Sequence, residues 1–405
     1  MSMSVSGGKS APAVKVAIVS VALSIIIMLM AVGIVQGFRM EIRDRVTGFD
    51  SHITLLPETN EYTQTTTIDF TPGLDSLLMA QPGVRSVDLT ASTPILLKTR
   101  EAFKGLYLRG VPHDYDFGFL QSSLTEGNVP RFNPDNAESD KILLSKATAS
   151  KLSLSAGDTV NAYLVADEIR ARPLVVSGIF DTHFDAYDNY YAYGDLRLVQ
   201  KLTHIGSNEG SSIEIDTDNF DRIPHTAQQI IDALDHAIDN ESVNQGFSIS
   251  TTLEKGANYF AWLDLLDTNV WVILTLMTLV AAFTLISGML IIILEKVQFI
   301  GVMKAIGTSR RQIRRIFVLL AIRIGLTGLL AGNAIALILM LAQHYLRIIP
   351  LNPSAYYIDF VPVCISPAAI LSINAGFIAV IYLVLILPSQ LAGRIRPAES
   401  MRFEQ

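Results

Sequence analysis

Two stretches of this chain carry residue types that could do chemistry. Gly7-Gly8-Lys9-Ser10 has the ending of a phosphate-binding loop, in which backbone N–H groups cradle phosphates and a lysine neutralises them. The pattern G-x-x-x-x-G-K-S requires glycine where Met3 stands, and no strand precedes it, so it does not read as a nucleotide site. Asp181 to Tyr193, DTHFDAYDNYYAY, sets His183 among Asp181, Asp185 and Asp188. That is oxygen-rich enough for a hard cation, but the spacing matches no ligand set, and the stretch reads as a solvated loop beside an aromatic strand. There is no HExxH, CxxC or GxSxG, the seven histidines are scattered, and the single cysteine, Cys364, has no partner for an intramolecular disulfide. The expectation is a non-catalytic chain with no metal site and no cofactor of its own, so any ATP chemistry must be borrowed from another chain.

The elements are those of a membrane protein. With 50% hydrophobic and 17% charged residues, and a mean hydropathy of +0.38, the chain is too apolar for an ordinary soluble protein and too polar to be all membrane. Four charge-free runs, Val16 to Val35, Asn269 to Leu294, Ile324 to Leu341 and Ala368 to Leu387, approach or exceed the roughly 20 residues a bilayer requires. The first is too long for a signal-peptide core and continues as a helix instead of ending at a small-residue cleavage site. Residues 36–267 hold 34 acidic and 18 basic side chains, the remainder 4 and 13. The basic excess places both termini and the 295–317 loop in the cytoplasm and the long insert outside, and an acidic exterior argues against nucleic acid as a partner. Arg323, at the inner edge of the third span, reads as a snorkelling anchor.

The expected fold is an α-helical membrane protein with four transmembrane helices and a large α+β extracytoplasmic domain inserted between the first and second. The expected divisions are a cytoplasmic N-terminus (1–15), first span (16–37), exterior domain with a helical stalk at each end (38–267), and second span (268–294). A cytoplasmic loop (295–317), third span (318–341), exterior loop (342–366), fourth span (367–388) and cytoplasmic C-terminus (389–405) follow. Within the exterior domain, the first stalk runs through GFRMEIRDRVTGF, with Glu41/Arg45 at i, i+4 and Gly48 as its C-cap. SHITLLP, VRSVDLT, TPILLKT, FKGLYLRG, KILLS, TVNAYLV, PLVVSGIF, SSIEI and FSIST read as strands, and residues 113–138 as an acidic loop. Helices are expected after Thr71-Pro72, over Ser145 to Leu152, after Asp195, and from Asp221 to Asp239. The second stalk starts at Leu253 and is expected to run unbroken into the second span. No βαβ period or internal repeat is present, and the insert has the size of one domain or two small lobes.

The cytoplasmic loop, Glu295 to Phe317, is the most structured of the connections. Phe299, Ile300, Met303 and Ile306 recur at i, i+1, i+4 and i+7, which gives a short helix with an apolar face and Lys304 on its flank. Gly307 breaks it, and Ser309 with Gln312 forms a capping box that starts the helix of the third span. GVMKAIGTSRRQI resembles the corresponding segment of the permease superfamily that includes Lol-type lipoprotein-releasing subunits, macrolide-exporter (MacB-like) permeases and FtsX. The QGFRMEIRDRVTGFDSHITL, FKGLYLRGVP, LSKATASKLSLSAGD, PLVVSGIF and RPAESMRFEQ segments resemble further family landmarks in the same order. Together they point to the Lol-type branch.

The resemblance implies a permease subunit of an ABC transporter, in the bacterial inner membrane, that extracts lipoproteins for release to a periplasmic carrier. It implies a cytoplasmic ATPase docked on Phe299, Ile300, Met303, Lys304, Ile306 and Gly307, and a second permease copy or a paralogue. The lipid substrate is expected against the outer ends of the first two spans, at Met28, Val32, Val35, Phe38, Trp262, Leu266 and Trp271. Alternatives within the superfamily are an FtsX-like relay controlling a periplasmic hydrolase and a MacB-like mechanotransmission exporter. Two departures stand out. The strands around residues 160–180 are joined only by ADEIRA, 166–171, where the carrier-gripping subunit has a longer hairpin, which argues against carrier docking on this chain. The segment before the first span lacks most of the usual amphipathic stretch, as a truncated start would.

Overall fold

Helix α1, Ala11–Phe49, is 39 residues long, roughly 58 Å at 1.5 Å per residue, because its one proline, Pro12, sits in the first turn, where no N–H bond is lost. The computed structural model describes residues 11–58, 67–133, 138–164, 170–352, 356 and 358–394. The chain divides into two units. One gathers the described residues up to Met40, Ala261–Leu351 and those from Phe360 onward; the other is Glu41–Phe260 with 352–359. Gly48 was expected to cap α1 but lies inside it. A Cβ there would come within 2.3 Å of the Phe119 ring, so the glycine serves a close approach and not a chain reversal.

The second unit is α+β. Its strands and helices run β1 (Ile53–Pro57), β2 (Ile68–Asp69), α2 (Pro72–Met79), β3 (Val84–Lys98), β4 (Phe103–Val111), α3 (Gly118–Ser122), β5 (Leu124–Gly127), β6 (Lys141–Ser145) and α4 (Lys146–Leu152). Then come β7 (Thr159–Leu164), β8 (Arg170–Phe180), α5 (Asp185–Asp188), β9 (Tyr191–Asp195), α6 (Leu196–Thr203), β10 (Glu209–Gly210), β11 (Ser212–Thr217), α7 (Ile223–Asp239), β12 (Phe247–Thr251) and α8 (Thr252–Lys255). One mixed sheet, ordered β12-β1-β11-β3-β4-β9-β6-β8-β5 with β7 paired to β3 and β8, spans the unit, so it is one body and not two lobes. Among the described residues, only β4–β9 and β6–β8 are parallel within it.

Two expected strands, VRSVDLT and TPILLKT, are one. Pro94 does not interrupt β3, because it falls where one edge of the strand has left β11 after Thr90 and has yet to meet β7 at Ile95. The 113–138 loop also contains α3 and β5, both too short to leave a periodic signal. Thr71, Ser145 and Asp195 cap α2, α4 and α6 as their spacing predicts. Side chains of one sheet face, among them Leu89, Leu97, Leu106, Leu108, Ile213 and Ile215, form the core together with α2, α6 and α7.

Helix α9 (Ala257–Glu295) does not flow from α8; Gly256 ends α8, whose start is a complete capping box of Thr251 and Glu254. It is followed by α10 (Val297–Ala305), α11 (Arg310–Leu346) and α12 (Pro367–Arg394). Helices α1, α9, α11 and α12 are long and apolar enough to cross a membrane. In the first unit α9 runs antiparallel to α1, with Ser20 donating to Thr284 at 3.2 Å and Phe38 edge-on to Trp262 at 6.1 Å. Gly328 and Gly332 bring α11 against Val21 and Ala22 of α1. Asn333 and Asn374 join α11 to α12 by reciprocal hydrogen bonds of 2.8 and 2.9 Å. Thr275, Thr278 and Thr284 donate to the carbonyl four residues back, so their hydroxyls need no water.

Candidate functional site

The 295–317 segment is built by local rules. Gly307 takes φ of +94°, and the N–H groups of Gly307 and Thr308 close on the carbonyls of Lys304 and Met303, both at 3.0 Å. Gln312 N donates to Ser309 Oγ at 3.4 Å and Ser309 N to Gln312 Oε1 at 3.0 Å, completing the capping box. The four apolar residues of α10 and its C-cap do not share one face. Ile300 is 1% exposed and belongs to the core of the helical unit, Met303 is half-buried, and Phe299 and Ile306 stand outward, the latter 80% exposed. Val302, 58% exposed, completes the outward stripe with Phe299 and Ile306. Its i+3 spacing from Phe299 was the signal available in the sequence. Partial desolvation, and then Arg310, lower the pKa of Lys304.

The C-terminal part of α1 and the N-terminal part of α9 bring some of the expected residues together. Phe38 is buried against Trp262, Met28 is buried with its sulfur 3.7 Å from the Thr278 hydroxyl, and Val32, Val35 and Leu266 are half-buried. Trp271 is 70% exposed. Arg39 closes this end, with Nη2 3.4 Å from Asp264 and in contact with Asp267. An arginine one residue past the aromatic, opposite carboxylates at i and i+3 of the other helix, was the missed signal.

In the α+β unit the last turn of α1 is held by polar and aromatic groups. The Phe49 carbonyl accepts from buried Arg109 Nη1 at 2.7 Å, and Arg109 Nε donates to Glu214 Oε1 at 3.0 Å. Phe49 stacks on Tyr187 at 4.7 Å, and the Tyr187 hydroxyl donates to Asp50 at 3.0 Å. Burial first, then the Asp50 carboxylate, pushes the pKa of that phenol up. Arg109 lies on the sheet face opposite the core, between Leu108 and Gly110, and the alternation of β4 allowed it to be placed there but not to be paired.

The Asp181–Tyr193 stretch forms no metal centre among the described residues. Asp188 is buried and accepts from Thr182 N and Oγ1 at 3.1 and 2.6 Å, while Asp181 faces Lys146 and His183, each at 2.9 Å. The side chain of Asp185 lies outside the described set, as do residues 7–10 and the 165–169 part of the β7–β8 connection, whose flanking strands pair up to Leu164 and Arg170.

The family model of the MacB-like periplasmic core domain matches residues 16–233, and that of the FtsX-like permease C-terminal region matches 271–397. Among curated relatives, the lipoprotein-releasing system transmembrane protein LolC of Xylella fastidiosa is 24% identical over 96% of this chain and 93% of its own. LolC of Neisseria meningitidis is 22% identical over 96% and 94%, and LolE of Haemophilus influenzae 21% identical over 95% and 93%.

Proposed function

We propose, since the chain belongs to the Lol-type permeases of the FtsX/MacB superfamily, that it is the membrane permease subunit of an ABC transporter that extracts lipoproteins from the inner membrane. The observation that carries this reading is the match across nearly the whole length of both chains to lipoprotein-releasing transmembrane proteins. The basic 295–317 loop and both termini lie in the cytoplasm and the α+β unit outside. A separate ATPase docks on the outward stripe of Phe299, Val302 and Ile306, with Met303, Lys304 and Gly307 beside it, and a second permease copy or a paralogue completes the complex. This chain itself does no catalysis.

Energetics explain the need for ATP and for an apolar surface. An acyl anchor of roughly 45 methylenes, at about 0.8 kcal/mol each, costs on the order of 35 kcal/mol to bare to water. It must therefore be passed along a sheltered path, and the outer ends of α1 and α9 supply one in Met28, Val32, Val35, Phe38, Trp262 and Leu266. An unpaired carboxylate there cannot share the space with an acyl chain, so Val35→Glu is expected to abolish capture while sparing assembly with the ATPase. Photocrosslinkers placed at Val35 and Leu266 should label lipidated substrate and spare the same protein without its lipid. Equal labelling, or none with either, would remove the acyl-binding role and leave a signal-relay function ahead.

A further inference from the structure

The described residues of the Asp181–Asp188 loop gather no set of metal ligands, yet the loop touches three segments by which the α+β unit's chain runs on into the apolar helices. Its own shape is fixed from inside. The buried Asp188 carboxylate holds Thr182 through two hydrogen bonds, Phe184 N donates to Thr182 Oγ1 at 3.3 Å, and the Ser145 hydroxyl donates to the Asp188 carbonyl. His183 takes φ of +59°, a left-handed conformation that a residue with a Cβ keeps only where its surroundings impose it.

The last turn of α1 meets this frame through Arg45, which donates to the Thr182 carbonyl, and through Phe49, stacked on Tyr187 and 6.0 Å from the Phe184 ring. Tyr259, in the first turn of α9, packs on the same Phe184 at 4.9 Å. From the segment between α11 and α12, Asp359 reaches His183 Nε2 at 3.0 Å, and the adjacent Ile358 is completely buried.

We propose that this loop is a rigid joint that ties the end of α1, the start of α9 and the α11–α12 connection together, with His183 and Asp359 as positioning residues. The proposal rests on the permease reading above. A displacement of any one segment is passed to the others, so energy delivered through one helix reaches the whole unit.

His183→Asn keeps a side chain that tolerates the left-handed backbone but gives up the reach to Asp359, and Asp359→Asn removes the charge. With the full permease and its ATPase in proteoliposomes, each variant is expected to assemble and hydrolyse ATP while lipoprotein released per ATP falls at least fivefold. In a Cys364→Ser background, His183→Cys with Asp359→Cys, joined by a short reducible methanethiosulfonate linker, should restore release, and reduction should abolish it again. Unchanged release in both asparagine variants, or a linker that blocks release, would overturn the joint. Hydrogen exchange gives a readout independent of substrate: nucleotide-dependent protection at residues 356–361 is expected in the parent protein and lost in His183→Asn. If the parent releases no lipoprotein but shows that loss, the release function falls and the joint stands; no nucleotide-dependent change at 356–361 overturns the joint.

Discussion

The two units use the same apolar residue types with opposite consequences. In the α+β unit, alternation along the strands sends Leu106 and Leu108 to the core and leaves Lys98, Thr159 and Asn161 in water. In the helical unit large apolar side chains such as Trp271, Leu276, Leu279 and Phe283 stand outward, while part of what is turned inward is small or polar, as with Gly328, Gly332 and the Asn333–Asn374 pair. Exposure of an apolar group is therefore informative only in the α+β unit, and inward polarity carries weight in both for different reasons. In hydrocarbon it replaces a missing hydrophobic drive, whereas in the sheet unit it fixes a junction.

The largest expected effect comes from breaking that junction. Arg109 satisfies the Phe49 carbonyl and Glu214 at once, and Glu214 Oε2 has no hydrogen-bond partner of its own. Arg109→Met leaves a buried carboxylate uncompensated and should cost about 3–5 kcal/mol in urea unfolding followed by tryptophan-independent circular dichroism. Arg109→Met with Glu214→Met should recover most of the loss. A single variant as stable as the parent would mean that the pair is not buried charge at all.

The second effect separates inside from outside on α10. Ile300→Asp puts a charge into the helical core and should lower the yield of folded permease, whereas Val302→Asp should leave the permease intact and weaken ATPase association by about 2–3 kcal/mol, read by copurification against concentration. Equal behaviour of the two would erase the distinction between the core-facing and outward sides.

How far each region could be read from sequence follows from how local its determinants are. Gly307, Ser309 and Gln312 lie within six residues, and their turn and capping box needed nothing distant. The period of α10 was equally visible, but a helix does not know on which side its bundle lies, so Ile300 was grouped with Phe299. Gly48 carried the signal of a cap, and only Phe119, far along the chain, turns it into a contact point. Pro94 argues against a continuous strand until the change of partner from β11 to β7 is known. Loop 181–188 has the composition of a metal site, and composition does not show which carboxylates bind backbone, as Asp188 does at Thr182.

A smaller effect tests the helical unit's polarity. Asn333→Leu leaves Asn374 with its own Ile370 carbonyl alone and should destabilise the α11–α12 pair by about 1 kcal/mol, measured by steric-trapping unfolding in bicelles. The double leucine variant should return to near the parent's stability, giving a coupling energy of the same size. Strict additivity of the two substitutions would show that the asparagines merely fill space.

The smallest effect returns to the sheet face around Glu214. Asp88 on β3 lies directly opposite Glu214 on β11, and burial first, then the carboxylates of Glu214, Asp114 and Asp216, raise its pKa to about 6. A carboxyl that holds its proton more tightly when folded than when unfolded contributes its full share of stability below the unfolded value near 3.8 and loses it as pH rises through about 6. At pH 7.5 the ionised group therefore destabilises the fold, by about 1 kcal/mol once solvent screening of this partly exposed site is allowed for. Asp88→Asn should raise Tm by about 2–4 °C at pH 7.5 and leave it unchanged near pH 4. The same gain at both pH values would trace the effect to packing, and a loss at pH 7.5 would mean that Arg109 already neutralises this face, so that its carboxylates are held as firmly as any buried pair.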